Sequence, residues 1–480
     1  MKEQADPASG RMPLPAAARA HAPAAAQAAR YGGADAAPGT GLRVAVVGAG
    51  WAGLAAAAQL HEAGCAVTVH DAGRVPGGRA RRVERDVGPA LDNGQHILLG
   101  AYGQTLALMR RLGCDPQHLF LRTRLRLESA DGSFRLAAPA LPAPLHAAWA
   151  LAAARGLSLS ERLAALRLMR ALRAAAWSVP PDWTVAQLLQ RHGQPPRLCA
   201  RLWTPLCLAA LNTAPHEACA TLFATVLRDS LAGARQASDI LLPRTDLSAL
   251  WPDAAAALGD WRPGHAVREL RASQGQVEVD GQAYDAAVLA VPPPAAAALL
   301  AGLPARPGAD ELQDALRAFR YLPIATVTLE LAGPWRLPRP MMMLFEDPAR
   351  GHAGQWVFDR AALAGRPESG ELAVVVSAAH GLPGREAAAA LLAEQVREQA
   401  ARHPGRLPPM PAVAASACIV EKRATFAAVP GLCRPAQETP WPRIALAGDW
   451  TDTGYPGVLE GAVRSGLAAA RVLLRTLRAP

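Results

Sequence analysis

Residues 42–71 read LRVAVVGAGWAGLAAAAQLHEAGCAVTVHD. Residues 42–47 are a short apolar run of the kind that forms a buried parallel strand. Gly48, Gly50 and Gly53, with Ala49 between the first two, complete a G-x-G-x-x-G turn. In a strand–turn–helix setting the first glycine permits the tight turn. The second lets backbone approach a pyrophosphate, and the third lets the helix pack closely on the strand. The alanine-rich helix is expected to run to about Ala63, with Gly64 as its stop. Residues 66–70 predict a second strand. Asp71 stands at its end, where a carboxylate accepts the hydroxyls of an adenosine ribose. The stretch predicts a dinucleotide site on a Rossmann-like α/β domain.

Composition sets the outer bounds. At 480 residues, with 51% hydrophobic and 19% charged, the chain has core for two or three domains. The net charge is +10, and all cationic side chains are arginines except Lys2 and Lys422. That balance suits anionic lipid or nucleic acid. Aromatic content of only 5%, with no lysine/arginine-rich run, sets nucleic acid aside. Cys65, Cys114, Cys199, Cys207, Cys219, Cys418 and Cys433 are odd in number and form no C-x-x-C. They read as small buried hydrophobes of a reducing compartment, and no metal site is expected. Residues 1–41 are rich in Ala, Pro and Gly without an apolar h-region, and are expected to be a disordered extension, not a signal peptide. Uncharged stretches at 137–154 and 286–305 are interrupted by prolines and predict no spanning helix.

Three further blocks carry chemistry. In residues 74–103, Gly77-Gly78 marks a turn followed by Arg79, whose guanidinium suits phosphate oxygens. Asp92-Asn93-Gly94-Gln95-His96 follows as a polar turn able to bring backbone against a flat ring. Residues 267–293 read as a small β-meander with turns at Gly275 and Asp280-Gly281. Near the C-terminus, 443–447 predicts a strand and 448–457 a polar turn. A helix is expected from about 458 to 477, its positive end facing an electron-rich ring. Between the blocks, residues 159–177 have a helical pattern. Leu163, Leu166, Met169 and Leu172 lie near one face, with Arg162, Arg167, Arg170 and Arg173 elsewhere around it. This is read either as a surface helix packed on its own domain or as an interfacial helix dipping into lipid. Nucleotide-binding pieces at the front, middle and back imply a discontinuous domain.

Together these blocks resemble the flavin-containing amine oxidase and phytoene desaturase superfamily. LDNGQHILLGAY (91–102), WTPLCLAALNT (203–213), SDILLPRTDLSALWP (238–252), EKRATF (421–426) and LAGDWTDTGYPGVLEGAVRSG (446–466) resemble, more narrowly, the hydroxysqualene dehydroxylase family. The resemblance runs from residue 42 to the C-terminus. It implies a discontinuous, GR2-type FAD-binding domain at 42–105, 225–305 and 412–480. An inserted α+β substrate domain is then expected at 106–224 and 306–411. It implies non-covalent FAD and hydride transfer from the reduced flavin to hydroxysqualene, giving squalene for hopanoid synthesis. It also implies an isoprenoid substrate and an unnamed reductant for the flavin. Separately, the insoluble substrate, the +10 charge and the 159–177 pattern lead to the expectation of a cytoplasmic enzyme peripheral on the inner face of an anionic membrane.

Carried over by position, the flavin contacts are Gly48, Ala49, Gly50 and Gly53 at the pyrophosphate, and Asp71 at the ribose, where the superfamily usually has glutamate. Gly78 and Arg79 match its second glycine–arginine motif and Gly94 its flavin-facing turn. Val267 matches the adenine position, Gly448 and Asp449 the ribityl and phosphate motif, and Leu459 the helix start beneath the ring. Amine-oxidising members usually place a lysine in the segment matching 322–329, which here reads LPIATVTL. That departure disfavours amine oxidation and fits a hydrocarbon. An allylic hydroxyl needs a proton before it leaves, and His96, Asp452 and Tyr455 are the candidate donors. Each also has a plain role: His96 holding its turn, Asp452 capping the next, Tyr455 packing on the ring. The rival readings are an oxidative polyene desaturase, an amine oxidase and a non-catalytic membrane adaptor.

Overall fold

The apolar run ahead of the glycine turn becomes β1 (Arg43–Val47), the middle strand of a five-stranded parallel sheet. In this computed structural model, which describes residues 41–85, 90–273 and 275–478, the sheet order is β3 (Asp260–Pro263), β2 (Ala66–Asp71), β1, β4 (Ala286–Leu289) and β10 (Ile444–Leu446). Parallel strands covered on both faces need apolar side chains on both faces, and β1 supplies them. Val44 and Val46 pack into a core with α1 (Trp51–Glu62) and α4 (Leu459–Arg478). Ala45 and Val47 enter a second core on the opposite face. The expected N-terminal extension lies outside the described residues, apart from Gly41.

The meander is shorter than its pattern suggested. Leu270–Ser273, Gln276–Val279 and Gln282–Tyr284 form an antiparallel sheet, while the last apolar run leaves it to become β4. The strand begins at Leu270, so Val267 precedes it.

A second five-stranded sheet carries the other half of the molecule, in the order β6 (Met341–Met343), β7 (Trp356–Asp359), β8 (Gly370–Ser377), β5 (Tyr321–Leu331) and β9 (Val413–Phe426). Its pairings are antiparallel. The period-two alternation of β5 decides its faces. Ala325, Val327, Leu329 and Leu331 enter a core backed by the helix Arg385–Ala401. Ile324, Thr326 and Thr328 turn to the other side.

Two expected domain limits differ from this architecture. Strand β9 belongs to the second sheet by its long pairing with β5, although it follows the expected boundary at 412. Leu106, Leu108, Met109 and Phe120 pack with the parallel sheet, although they follow the expected boundary at 105. Both segments cross because their buried faces are complementary to the neighbouring core. Composition alone does not register that.

The helical pattern at 159–177 forms α3 (Leu159–Ala174), opened by a capping box between Ser158 and Glu161. Its buried stripe is Ala164, Ala165, Leu168 and Leu172, rotated from the expected one, and Leu163 is exposed. Alanines let α3 approach its neighbours more closely than leucines would. Among the described residues no disulfide joins any of the seven cysteines, and no His/Cys/Asp/Glu group could hold a metal. No described helix is long and apolar enough to cross a membrane.

Candidate flavin and substrate site

The turn after β1 is built by contacts that admit no side chain. Gly48 has φ +109°, and a Cβ there would lie 2.5 Å from the Ala290 carbonyl oxygen. A Cβ on Gly53 would lie 1.9 Å from the Gly48 oxygen. Gly50 caps α1 without a side-chain bond, and no acidic residue occupies the helix's first turn. The free N–H groups there suit an anion. The second glycine pair lies against the first. Gly77 N–H donates to the Ala49 carbonyl at 2.8 Å, and a Cβ on Gly78 would be 2.8 Å from the Gly50 Cα. The result is a floor of bare backbone, which fits a pyrophosphate. At the end of β2, Asp71 accepts from Ala49 N–H and Gly73 N–H, both at 2.6 Å. Each oxygen keeps a further lone pair for a ribose hydroxyl. Val267 is half-buried against the core below the meander.

Arg79 reaches across to the C-terminal block. Its guanidinium pairs with Asp449 and donates to the Ala424 carbonyl at 2.8 Å. Asn93 Nδ2 donates to the Arg79 carbonyl at 2.9 Å and to Glu421 at 3.1 Å, tying the two turns together. Beside Arg79 and Asp449, the buried hydroxyl of Tyr321 has no partner. An orphaned donor in that position fits an oxygen-rich chain such as the ribityl and phosphate of FAD. Gly448 N–H donates to Ser465 Oγ at 2.9 Å, fixing the start of the turn on α4, whose first residue, Leu459, is half-buried.

Arg434, which no motif singled out, holds this turn. It donates to the carbonyls of Asp449 (2.8 Å), Trp450 (3.2 Å), Thr451 and Tyr455 (2.5 Å), and its guanidinium lies 4.9 Å from the Phe426 ring centre. A single side chain thereby satisfies four carbonyls of an irregular loop.

Gly94, at φ +101°, faces β5: a Cβ there would meet Thr326 Oγ1 at 3.7 Å. Gln95 N–H donates to that same hydroxyl at 3.3 Å. Thr326 is thus the residue of the 322–329 segment that meets the turn. His96 Nδ1–H donates to the Gly94 carbonyl at 2.9 Å, which leaves Nε2 open. Burial first, and the Arg79 charge after it, hold the His96 pKa below 6.5. Asp92 is buried, accepts from Leu247 N–H at 2.8 Å and faces Arg360 at 3.3 Å. Burial pushes its carboxyl up to about 6.

The other two donor candidates are held differently. Asp452 is exposed and accepts from Gly454 N–H at 3.3 Å. Tyr455 is buried. Its hydroxyl donates to Asp229 on the π-helical turn Arg228–Ala232, and Arg464 lies 4.4 Å from its ring centre. Asp229 lies in no motif that the sequence singled out.

From Thr326 a row of side chains crosses the second sheet. Thr326 is paired with Val375, Val375 with Trp356, and Trp356 with Met343. Next to it run Thr328, Ala373, Phe358 and Met341. Beyond the first threonine of each row these are apolar, and they belong to one core with Leu127, Phe134, Leu151, Leu168 and Leu172. The Asp92–His96 turn therefore borders a packed apolar core.

Comparison with known proteins agrees with this geometry. Residues 51–474 match the family described as flavin containing amine oxidoreductase. The hydroxysqualene dehydroxylase of Rhodopseudomonas palustris is 32% identical over 91% of this chain and 99% of its own. That of Sinorhizobium fredii is 31% identical over 90% and 98%. Cyclohexylamine oxidase from Brevibacterium oxydans shares the fold at a TM-score of 0.63 and 18% identity, covering 91% of this chain and 100% of its own. The chain belongs to the flavin-containing amine oxidoreductases and, within them, to the hydroxysqualene dehydroxylase family.

Proposed function

We propose that this enzyme replaces the hydroxyl group of hydroxysqualene with hydrogen, yielding squalene and water for hopanoid synthesis. The end-to-end match to hydroxysqualene dehydroxylases carries the reading. The apolar row beside Thr326 supports it, as does the lack of lysine in 322–329. Bound and reduced, FAD supplies the hydride. In this reading Gly48, Ala49, Gly50 and Gly53 receive the pyrophosphate and Asp71 the adenosine ribose. Val267 meets adenine; Gly78, Arg79, Gly448 and Asp449 border the phosphates and ribityl chain; Gly94 and Leu459 flank the ring.

The protein's own work is to hold the allylic carbon at the ring, keep water from the cation, and deliver one proton to the departing hydroxyl. We assign that proton to His96 Nε2–H in the charged imidazolium. Donation leaves a neutral ring that keeps its Nδ1–H bond to Gly94. A lowered pKa makes His96 the stronger acid and the scarcer cation. Tyr455 is assigned to the wall of the site with its proton held by Asp229, and Asp452 to the turn it caps. Cytoplasmic location and peripheral attachment to the inner face of an anionic membrane belong to the same reading. They are supported by the +10 charge and the insolubility of the substrate. A reductant of unassigned chemistry reloads the flavin.

The test is incubation of the FAD-loaded, reduced enzyme with hydroxysqualene and mass analysis of the product. Squalene is expected. A product with extended conjugation would indicate the oxidative desaturase, peroxide release with amines the amine oxidase, and an unchanged substrate the adaptor.

A further inference from the structure

The helices that pack behind the apolar rows carry an unusual outer surface. α2 (Leu145–Ala152) is pinned by His146, whose Nε2 lies 3.1 Å from Ser238 Oγ inside the protein. Its outward positions are Leu145, Ala148, Trp149 and Ala152, spaced i, i+3, i+4, i+7 and all exposed. A surface helix ordinarily turns polar residues outward at that spacing. Leu145 is 56% exposed and Trp149 58%. On the adjoining α3, Leu159 is 70% and Leu163 46% exposed. With Leu141 these are five of the six exposed large hydrophobics among the described residues. A cluster of that kind marks a contact surface.

The exposed charges on the segment that carries it are arginines, up to the flanking Asp131 and Asp182. Residues 132–181 contain six arginines and a single carboxylate, Glu161. Glu161 is buried and paired with Arg197 at 3.2 Å, so it does not face outward. Along α3 the exposed face changes from Leu159 and Leu163 to Arg167, Arg170 and Arg173. Leucines at one end of a helix and arginines at the other match the step from acyl chains to anionic headgroups.

The position of these helices gives the surface a use. Arg135 on the short strand Arg135–Ala137 bridges to Arg155 between α2 and α3. Ala130 N–H donates to the Met343 carbonyl at 2.8 Å. Met343 is the far end of the row Thr326–Val375–Trp356–Met343, about 14 Å from Thr326 at ordinary strand spacing. The exposed surface and the row are thus opposite sides of one core.

We propose that the outer face of α2 and α3 docks on an anionic lipid bilayer. Leu145, Trp149, Leu159 and Leu163 enter the acyl region, and Arg167, Arg170 and Arg173 lie at headgroup phosphates. A hydrocarbon substrate then leaves the bilayer toward the Met343 end of the row without crossing water. This rests on the isoprenoid reading of the site. A bilayer, not a second copy of the chain, is the occupant because the arginines would repel their own images across a symmetric interface while phosphates neutralise them.

The experiment is flotation of the full FAD-loaded chain with vesicles of phosphatidylcholine alone and of phosphatidylcholine with phosphatidylglycerol. The parent should float with the anionic vesicles and be released by salt. The variant Leu145→Ser/Trp149→Ser/Leu159→Ser/Leu163→Ser should lose at least about tenfold in partitioning. Arg167→Gln/Arg170→Gln/Arg173→Gln should lose the preference for anionic lipid. Both should keep FAD and turn over detergent-dispersed hydroxysqualene at the parent rate, while slowing on vesicle-embedded substrate. Equal flotation of parent and serine variant, or no flotation of the parent, overturns the proposal. So does a parent dimer that fails to float and is dissociated by the serine substitutions. Failure of every form on dispersed substrate would instead count against the reaction and leave the flotation result standing.

Discussion

His96 is the residue on which the proton-delivery account turns. Its Nδ1–H is committed to Gly94, so only Nε2 is available to a substrate hydroxyl, and only when the ring is charged. His96→Ala should keep FAD absorbance while turnover falls by about 100-fold or more, the usual scale for a lost general acid. In the parent, turnover should fall as pH rises, with a midpoint below 6.5 because the folded pKa is depressed. A pH-independent rate in that range would remove His96 from the mechanism. A second residue-scale expectation concerns Tyr321. If its unpartnered hydroxyl serves the cofactor, Tyr321→Phe weakens FAD affinity by about tenfold, the value of one hydrogen bond to a charged group, measured by fluorescence of released flavin. Gly94 and His96 could be singled out as candidates because their motif is contiguous. Thr326, Tyr321, Asp229 and Arg434 could not, since each acquires meaning only from a partner far away in the chain.

The elements were legible to different depths. The strand–turn–helix at 43–62 follows from local chemistry: an apolar run, glycines where no Cβ fits, alanines where a helix packs closely. Gly53→Ala tests this directly. Its methyl would collide with the Gly48 carbonyl, so the turn must shift, at a cost of about 1–3 kcal/mol, and FAD should be lost before the fold is. An FAD-replete Gly53→Ala enzyme with unchanged melting would contradict the turn's role. On β5 the alternation identifies two faces but not their neighbours. That Ala325 and Val327 meet a helix while Thr326 meets the Asp92–His96 turn is decided by strand order, which no local pattern encodes. The stripe on α3 is shifted for a related reason. Leucine pattern alone favours Leu163 as a buried residue, whereas Ala164 and Ala165 are the residues turned inward.

At the scale of the whole molecule, two cores built on one central strand bring segments from the front, middle and back of the chain to one site. The discontinuous plan was visible in the spacing of the motifs. The allegiance of β9 and of residues 106–120 was not, because tertiary pairing sets it. Stability should carry the signature of His70, a buried histidine on β2 whose pKa burial lowers from 6.5 to about 4. Between those values the unfolded chain binds more protons, so the contribution is complete above 6.5 and is lost as pH falls toward 4, on the order of 3 kcal/mol. Asp92 opposes it. Its folded pKa of about 6 lies above 3.8, so its share is complete below 3.8 and is lost as pH rises through 6. His70→Gln should therefore flatten the acid limb of the urea midpoint. A midpoint difference from the parent that does not change between pH 6.5 and 4 would exclude His70 as its source.

The most direct measurement is a single turnover without oxygen. Enzyme carrying one reduced FAD is mixed with excess hydroxysqualene, and flavin absorbance and squalene are followed together. Equal amounts of oxidised flavin and squalene, appearing at the same rate, are the predicted result. Flavin that stays reduced while no squalene forms, or oxidised flavin that becomes reduced by the substrate, would contradict the account.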